Sequence, residues 1–376
     1  MVIGAYAPSL LQFRGALVAE LAQHHGAGLC VSEAPDPTTA ARLQELAQAH
    51  AAIPIQRNGL NPLGDLRTFF AIRRLLISHR PAVILAYTVK PVIWGALAAR
   101  GVRGARFVAM VTGLGYAMEP GGGLRRLLRS LVVGLYRMAL RRADAVIFHN
   151  VDNRDRFIKL RLVDSSRCCV VPGSGVDLCY FRRSPLPPAQ VGEVTFLLIA
   201  RLLGDKGIRE YAAAARLVRR RFPAARCLLL GPPDPSPDGI SEAELRAWQE
   251  EGRIDYLGSA KDVRPYLRSC HVYVLPSYHE GMPRTVLEAM ATGRPILTTA
   301  VPGCRETVEQ GSNGWLVPAR DSDALARRMI WFAEHPDRWE AMGRASRSTA
   351  EARFGVDQIN AQMLRVLFPP VAWKKR

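Results

Sequence analysis

Short apolar runs alternate with segments of helical periodicity almost from the first residue. The spacing predicts strands near 2–6, 28–32, 51–55, 82–87, 107–112, 145–149 and 168–171, and helices that include 13–24, 65–79, 124–142 and 151–160. The alternation then resumes, with strands at 194–200, 226–230, 254–257, 272–275, 295–298 and 315–317 and helices that include 207–221, 241–251, 284–291 and 321–334. Strands that alternate with helices of about 10–15 residues predict an α/β protein with parallel sheets covered on both faces. The run Arg182-Arg183-Ser184-Pro185-Leu186-Pro187-Pro188 punctuates the middle. It predicts an N-terminal domain over 1–184 and a C-terminal domain over 185–353. Two doubly wound, Rossmann-like domains joined in this way create a central cleft. Ligands of open parallel sheets sit outside the carboxyl ends of the strands, so the residues just after each strand are the candidates for chemistry.

Composition narrows the class. The 376 residues suit two domains, and 48% hydrophobic with 22% charged residues excludes a disordered, collagen-like or disulfide-stapled chain. Mean hydropathy is 0.00, and no uncharged apolar stretch reaches the ~18 residues of a membrane span. The N-terminus lacks a basic segment followed by an apolar core, so a cytoplasmic protein is expected. Seven cysteines, an odd number without a Cys-x-x-Cys pair, read as small buried hydrophobes in a reducing compartment.

The net charge of +18 is unevenly shared. Residues 1–180 carry 22 Lys and Arg against 11 Asp and Glu, and 181–376 carry 29 against 22. The surplus implies an anionic partner: a phosphorylated substrate, an anionic membrane or nucleic acid. Only six of the 51 basic residues are lysine, a bias that coding composition also produces. Aromatic residues are 7% and scattered, with no recognition module, so nucleic acid is not an expected partner.

The richest segment runs over 273–291. A strand ends at Leu275, a Gly/Pro loop follows, and a helix begins near Arg284 or Thr285. Unpaired N–H groups at such a helix start receive phosphate or a polar sugar edge. Glu280 in the loop and Glu288 in the helix would repel phosphate but accept hydrogen bonds from hydroxyls. Together they suggest a ligand with both phosphates and hydroxyls, such as a sugar nucleotide.

This segment resembles the Glu-x7-Glu motif of the retaining family-four glycosyltransferases, which have the GT-B fold. Ile199-Ala200-Arg201-Leu202-Leu203-Gly204-Asp205-Lys206-Gly207 resembles their Arg-x4-Lys-Gly element, and Gly175-Val176-Asp177 their Gly-Val-Asp segment. Segments 87–91, 111–116, 148–157 and 302–307 are similar to a narrower branch. That branch adds sugars to undecaprenyl-diphosphate-linked saccharides and includes the N-acetylgalactosaminyltransferase that acts on diacetylbacillosamine.

The resemblance implies residue roles. Arg201 and Lys206 would bind the donor diphosphate and stabilise the departing nucleotide, as a bidentate clamp and a point charge. Glu280 would contact the transferred sugar and Glu288 the ribose, and Gly281, Met282 and Pro283 would offer backbone groups. Catalysis would rest on Glu280, Arg201 and Lys206. Transfer is expected, as in that family, to need no metal and no cofactor, and to retain anomeric configuration. Lys90, Thr112, Gly113 and His149 are the expected acceptor-binding positions, and His279 either supports Glu280 or only packs beside it. The implied partners are a UDP-sugar donor and a polyprenyl-diphosphate saccharide acceptor. A soluble acceptor, or a UDP-sugar 2-epimerase on the same fold, remains open.

Two departures stand out. Many relatives have a Gly-Gly loop after the first strand, where residues 7–15 here read Ala-Pro-Ser-Leu-Leu-Gln-Phe-Arg-Gly. Either the true start lies upstream or the loop is remodelled. Many relatives also place a histidine where Val111-Thr112-Gly113 stands.

Helix 124–142 has apolar residues at helical spacing and six arginines, with no acid over 121–142. It reads either as an amphipathic element at the inner face of the cell membrane or as a core helix with a solvated basic face. The tail 368–376, ending in Trp373 and three bases, reads as an interface contact or a frayed end. A helix over about 354–368 is expected to pack back on the first domain.

Overall fold

The computed structural model describes residues 1–24, 28–47, 49–56, 61–113 and 123–369, save the side chains of residues 24, 124, 125 and 128. Residues 114–116 of the 111–116 motif, the side chains of Leu124, Arg125 and Leu128, and tail residues 370–376 lie outside the described residues.

The chain forms two compact units, residues 1–174 with 357–376, and residues 175–356. Unit 1 contains, in order, β1 (Val2–Ile3), α1 (Ala7–Gln12), α2 (Gly15–His24), β2 (Leu29–Ser32), α3 (Pro37–Leu46), β3 (Ala49–Ala52), α4 (Pro62–His79), β4 (Val83–Tyr87), α5 (Val89–Ala98), β5 (Arg106–Val111), α6 (Leu124–Leu140), β6 (Ala145–Phe148), α7 (Val151–Lys159) and β7 (Cys168–Val170). Unit 2 contains β8 (Thr195–Ile199), α8 (Ile208–Arg221), β9 (Arg226–Leu230), α9 (Glu242–Glu250), β10 (Asp255–Tyr256), α10 (Arg264–Ser269), β11 (Val272–Leu275), α11 (Arg284–Thr292), β12 (Ile296–Thr299), β13 (Gly314–Val317), α12 (Ser322–Glu334) and α13 (Trp339–Arg353). The last helix, α14 (Val356–Leu367), belongs to unit 1 from Asp357 onward.

Both sheets are parallel and share one plan. Unit 1 has the order β3-β2-β1-β4-β5-β6-β7 and unit 2 the order β10-β9-β8-β11-β12-β13. In each, the chain steps away from the first strand in one direction and resumes on its other side. That reversal places the topological switch point between β1 and β4, and between β8 and β11. The period of two along each strand divides the cores. Ile84 and Ala86 of β4 face the layer of α4, α5 and α6, while Leu85 and Tyr87 face α1, α2, α3 and α14. In β11, Val272 and Val274 pack on one face of the sheet and Tyr273 and Leu275 on the other. Ile359, Met363 and Leu367 carry α14 into the unit 1 core, and Arg106 donates to the Val366 carbonyl at 3.2 Å.

Several expected bounds shift for local reasons. The strand expected over 2–6 ends at Ile3, because Pro8 sits in the first turn of α1 and starts that helix at Ala7. The helix expected over 13–24 begins at Gly15. β3 stops at Ala52 rather than running over 51–55, since Pro54 has no N–H to give the ladder. α4 starts at Pro62, before the expected Asp65, because the Asn61 side chain caps it by accepting from the Gly64 N–H at 3.1 Å.

The domain boundary expected at 184/185 lies instead at 174/175. Val176 bridges to Gly355, its N–H donating to Phe354 and its carbonyl accepting from Val356. The buried Arg294 guanidinium donates to the Ser184 and Pro185 carbonyls at 2.9 and 3.1 Å. The Pro-rich run is therefore fastened to unit 2 and is not a free linker. Among the described residues, no helix is long and apolar enough to cross a membrane.

Candidate functional site

In unit 2 the candidate residues gather at the switch point. Lys206 lies in the loop after β8 and Glu280 in the loop after β11, the two strands that flank the reversal. The Lys206 Nζ donates to Glu280 Oε1 at 2.7 Å, and each side chain is only 16% exposed. Burial would lower the Lys206 pKa, but Glu280 and Asp205 outweigh it and hold the ammonium above its ordinary value. Ser277 Oγ donates to the same Glu280 oxygen at 2.8 Å. Burial raises the Asp205 pKa, and its Oδ1 is buried without a hydrogen-bond partner.

Two loops of backbone hold these side chains together. The Tyr278 N–H donates to the Asp205 carbonyl at 2.8 Å, and Ser277 Oγ lies 3.2 Å from the same oxygen. Gly207 has φ +71°, and a Cβ there would stand 2.1 Å from the Pro276 carbonyl oxygen. Only glycine lets the β8 loop approach the β11 loop this closely. Gly303, at φ +86°, does the same behind Glu280, whose carbonyl oxygen would lie 2.5 Å from an added Cβ. The Glu280 N–H also reaches the Pro302 carbonyl at 3.3 Å.

Arg201 follows β8 and extends outward, its side chain 44% exposed, with Nη1 on Asp234 Oδ2 at 2.6 Å. Glu288 lies one turn inside α11, buried, and accepts from Arg284 Nε at 2.8 Å. Burial raises its pKa, with Arg284 opposing. Gly281, Met282 and Pro283 are half-buried or buried in the turn that leads into α11, and Pro283 is its N-cap residue. His279 contacts the Glu280 carbonyl through Nδ1 at 3.1 Å. Tyr278, stacked under Arg320, donates to Glu210 at 2.5 Å. Of the unit 2 candidates, the structure thus joins Lys206 to Glu280 directly and gives Arg201 and Glu288 partners of their own.

In unit 1 the candidates lie at the carboxyl ends of β4, β5 and β6. Lys90, in the first turn of α5, pairs with Asp65 at 2.7 Å. The preceding Thr88 has φ +69° and ψ 168°, a conformation that costs a β-branched residue of order 1–3 kcal/mol, and its Oγ1 is buried without a partner. Thr112 and Gly113 follow β5 and are half-buried. His149 follows β6 and is 6% exposed, against Arg14 at 3.3 Å. Burial, with help from Arg14, pushes the His149 imidazole down to about 3, so it is neutral at pH 7.

Sequence reasoning missed the group around Arg14. This arginine, 3% exposed, also donates to Met110 Sδ at 2.8 Å and lies 5.6 Å from the Tyr87 ring centre. Tyr87 in turn shares a 2.8 Å hydrogen bond with Ser9. The Ala7-to-Gly15 stretch, noted only as a departure, is what brings Ser9 and Arg14 to the unit 1 switch point. No local signal announces that, because the partners are contributed by β4, β5 and β6. Asp234 was also missed, as one acid in a Pro-rich loop. Among the described residues, no group of three or more His, Cys, Asp or Glu side chains is placed to hold a metal ion.

Known proteins match most of the length of the chain. The family model for Glycosyltransferase Family 4 matches residues 16–180, and that for Glycosyl transferases group 1 matches residues 193–335. The N,N'-diacetylbacillosaminyl-diphospho-undecaprenol alpha-1,3-N-acetylgalactosaminyltransferase of Campylobacter jejuni is 28% identical over 305 residues, 78% of each chain. The UDP-Gal:alpha-D-GlcNAc-diphosphoundecaprenol alpha-1,3-galactosyltransferase of Escherichia coli is 24% identical, over 74% of this chain and 73% of its own. The crystal structure of Anabaena HepE in complex with UDP superposes with a TM-score of 0.77 at 19% identity, covering 97% of this chain and 98% of that one. With two parallel Rossmann-like sheets and both family models matched, the chain is a glycosyltransferase of family four with the GT-B fold.

Proposed function

We propose that the protein transfers a hexosyl or N-acetylhexosaminyl group from a UDP-sugar to a polyprenyl-diphosphate-linked saccharide, with retention at the anomeric carbon and without a metal. The reading places it in the assembly of a surface polysaccharide or glycan, on the cytoplasmic side of the membrane and peripheral to it. The observation that carries it is the Lys206–Glu280 pair at the β8/β11 switch point, with Arg201 beside it on the β8 loop. Names of relatives that act on undecaprenyl-diphosphate-linked saccharides support the acceptor class.

In this reading the C1–oxygen bond to the diphosphate breaks with its electron pair leaving on the nucleotide, and the acceptor hydroxyl oxygen forms the new bond to C1 while its proton passes to the departing diphosphate. Negative charge gathers on the departing nucleotide. Lys206, held charged by its carboxylates, and Arg201, with a planar fork for phosphate oxygens, stabilise that charge from fixed positions. Glu280 accepts hydrogen bonds from hydroxyls of the transferred sugar, Glu288 from the ribose, and the Gly281-Met282-Pro283 turn supplies backbone groups. Lys90, Thr112, Gly113 and His149 serve the acceptor. The arginines of α6 meet an anionic membrane surface where the lipid acceptor resides.

The test is nucleotide release from a panel of UDP- and GDP-sugars, in chelator, with and without undecaprenyl-diphosphate saccharide in detergent. Wild type and Glu280→Gln run side by side. Release from one UDP-sugar only with the lipid acceptor, lost in the variant, is the expected result. Turnover without acceptor would make the protein an epimerase or hydrolase. Equal turnover with a water-soluble acceptor would remove the lipid.

A further inference from the structure

Among the described residues, seven of the twelve large hydrophobic side chains left exposed lie on just two helices, α4 and α6. Single exposed hydrophobics are ordinary, but a contiguous set marks a contact surface. On α4, Leu63 (71% exposed), Leu66, Phe70 (58%) and Ile77 recur at helical spacing. At about 100° per residue they fall within an arc of about 60°. The buried set, Thr68, Ile72 and Leu76, occupies the opposite side. α4 therefore has two apolar stripes, one that the core accounts for and one that none of the described residues covers.

α6 repeats the design. Leu127 (68% exposed), Leu131 and Met138 line its outer side, opposite Val132, Tyr136 and Leu140, which enter the core. α5 lies between α4 and α6 and packs on both, and all three helices cover the same face of the sheet. Both outer stripes thus leave the molecule from one layer.

Charge says what covers them. Arg67 and Arg74 flank the α4 stripe and are exposed, while Asp65, the acid on that helix, is turned into its pair with Lys90. Arg126 and Arg137 stand exposed beside the α6 stripe. A second copy of the chain would set these arginines against themselves, since an isologous interface meets its own surface. An anionic bilayer instead takes leucine and phenylalanine below its headgroups and pairs the arginines with phosphates.

We infer that α4 is a second membrane-contact element beside α6, an amphipathic helix that lies in the interface of an anionic bilayer with Leu63, Leu66, Phe70 and Ile77 inserted. This rests on the lipid-acceptor reading above and extends it to a helix whose exposed stripe the periodicity had not distinguished from its core stripe.

The experiment is sedimentation of the full chain with vesicles of phosphatidylglycerol and phosphatidylcholine, against phosphatidylcholine alone. Wild type, Phe70→Asp with Ile77→Asp, Arg67→Glu with Arg74→Glu, and the α6 variant Leu131→Asp are compared. Wild type binds the anionic vesicles, and the α4 apolar variant loses at least about tenfold in partitioning. The arginine variant loses the preference for phosphatidylglycerol. Both keep the thermal midpoint and the transfer to detergent-dispersed lipid acceptor. An α4 apolar variant that sediments like wild type while Leu131→Asp does not would assign the contact to α6 alone. A wild-type dimer in light scattering that Phe70→Asp dissolves would give the stripe to a second copy. Wild type that binds no vesicle would end the inference, and the detergent transfer assay reports on the lipid acceptor separately in every case.

Discussion

The Lys206 ammonium donates to the Glu280 carboxylate at 2.7 Å, across 74 positions of sequence and between the two loops that flank the β8/β11 reversal. Both groups are largely buried, and the carboxylate beside it helps hold the Lys206 ammonium in its charged form. Removing one partner of such a pair leaves the other uncompensated, at a cost of about 3 kcal/mol. Lys206→Ala is therefore expected to lower the unfolding free energy by that order and transfer by about a thousandfold, because a cation on the leaving group goes with it. Denaturant unfolding and nucleotide release measure the two effects. The raised Lys206 pKa contributes stability that is complete below its ordinary value and is lost only as pH rises through the folded value. The pair is thus intact at neutral pH. A Lys206→Ala protein that melts and turns over like wild type would remove both roles.

Gly207 decides whether that pair can form. Gly207→Ala meets the Pro276 carbonyl and takes a positive φ, and is expected to cost at least about 2 kcal/mol with a parallel loss of transfer. Gly252 has φ +65° with open space around it, so Gly252→Ala is expected to cost only about 1 kcal/mol and leave transfer intact. Equal costs at the two positions would mean that backbone strain, not the close approach of the loops, is what Gly207 relieves.

His149 makes unit 1 acid-sensitive. Its folded-state pKa of about 3 lies far below the ordinary 6.5, so its share of stability is present above pH 6.5 and is lost as pH falls toward 3. The slope in that window is about 1.4 kcal/mol per pH unit for one proton. His149→Gln is expected to flatten this part of the stability profile between pH 6.5 and 4. Urea midpoints at several pH values decide it, and parallel profiles for variant and wild type would show that the imidazole is accessible to protons.

Glu288 works in the opposite direction. Burial raises its pKa, so its share of stability is complete below the ordinary 4.5 and is lost as pH rises through the folded value. Glu288→Gln is expected to be no less stable than wild type at pH 7 yet to bind the UDP-sugar about tenfold more weakly, since a charged acceptor for the ribose hydroxyls is gone. Calorimetric titration of the donor reads this directly. Unchanged affinity would leave Glu288 as a partner of Arg284 alone.

Thr88 holds strain at the start of α5. Thr88→Gly is expected to raise stability by about 1 kcal/mol, as relief of the positive φ exceeds the added freedom of glycine in the unfolded chain. A melting temperature below that of wild type would show that the threonine methyl and hydroxyl are held by more than the backbone.

Each of the thirteen strands among the described residues overlaps a segment predicted from the sequence, because most are short apolar runs followed by a loop or a helical pattern. Bounds moved where one residue overrode the pattern: Pro8 starting α1, Pro54 ending β3, Asn61 capping α4 early. In the sequence, Glu280 stood out by the strand–loop–helix pattern around it, and Lys206 by the resemblance of its segment to an Arg-x4-Lys-Gly element. Their direct pairing was not legible, and neither was the Arg201–Asp234 pair, because sequence spacing does not say which side chains from separate loops meet.

By itself, then, the sequence determined the alternation of strand and helix, the parallel sheets and the strand ends where chemistry gathers. These follow from local periodicity and from residues acting within one turn of the chain. Only the tertiary structure decided the rest. It fastened the 182–188 run to unit 2 through Arg294, buried His149 against Arg14, and left the outer stripe of α4 uncovered. Each of these depends on which surface arrives from elsewhere in the chain. A helix with apolar residues on two sides reads the same in sequence until the sheet covers one of them.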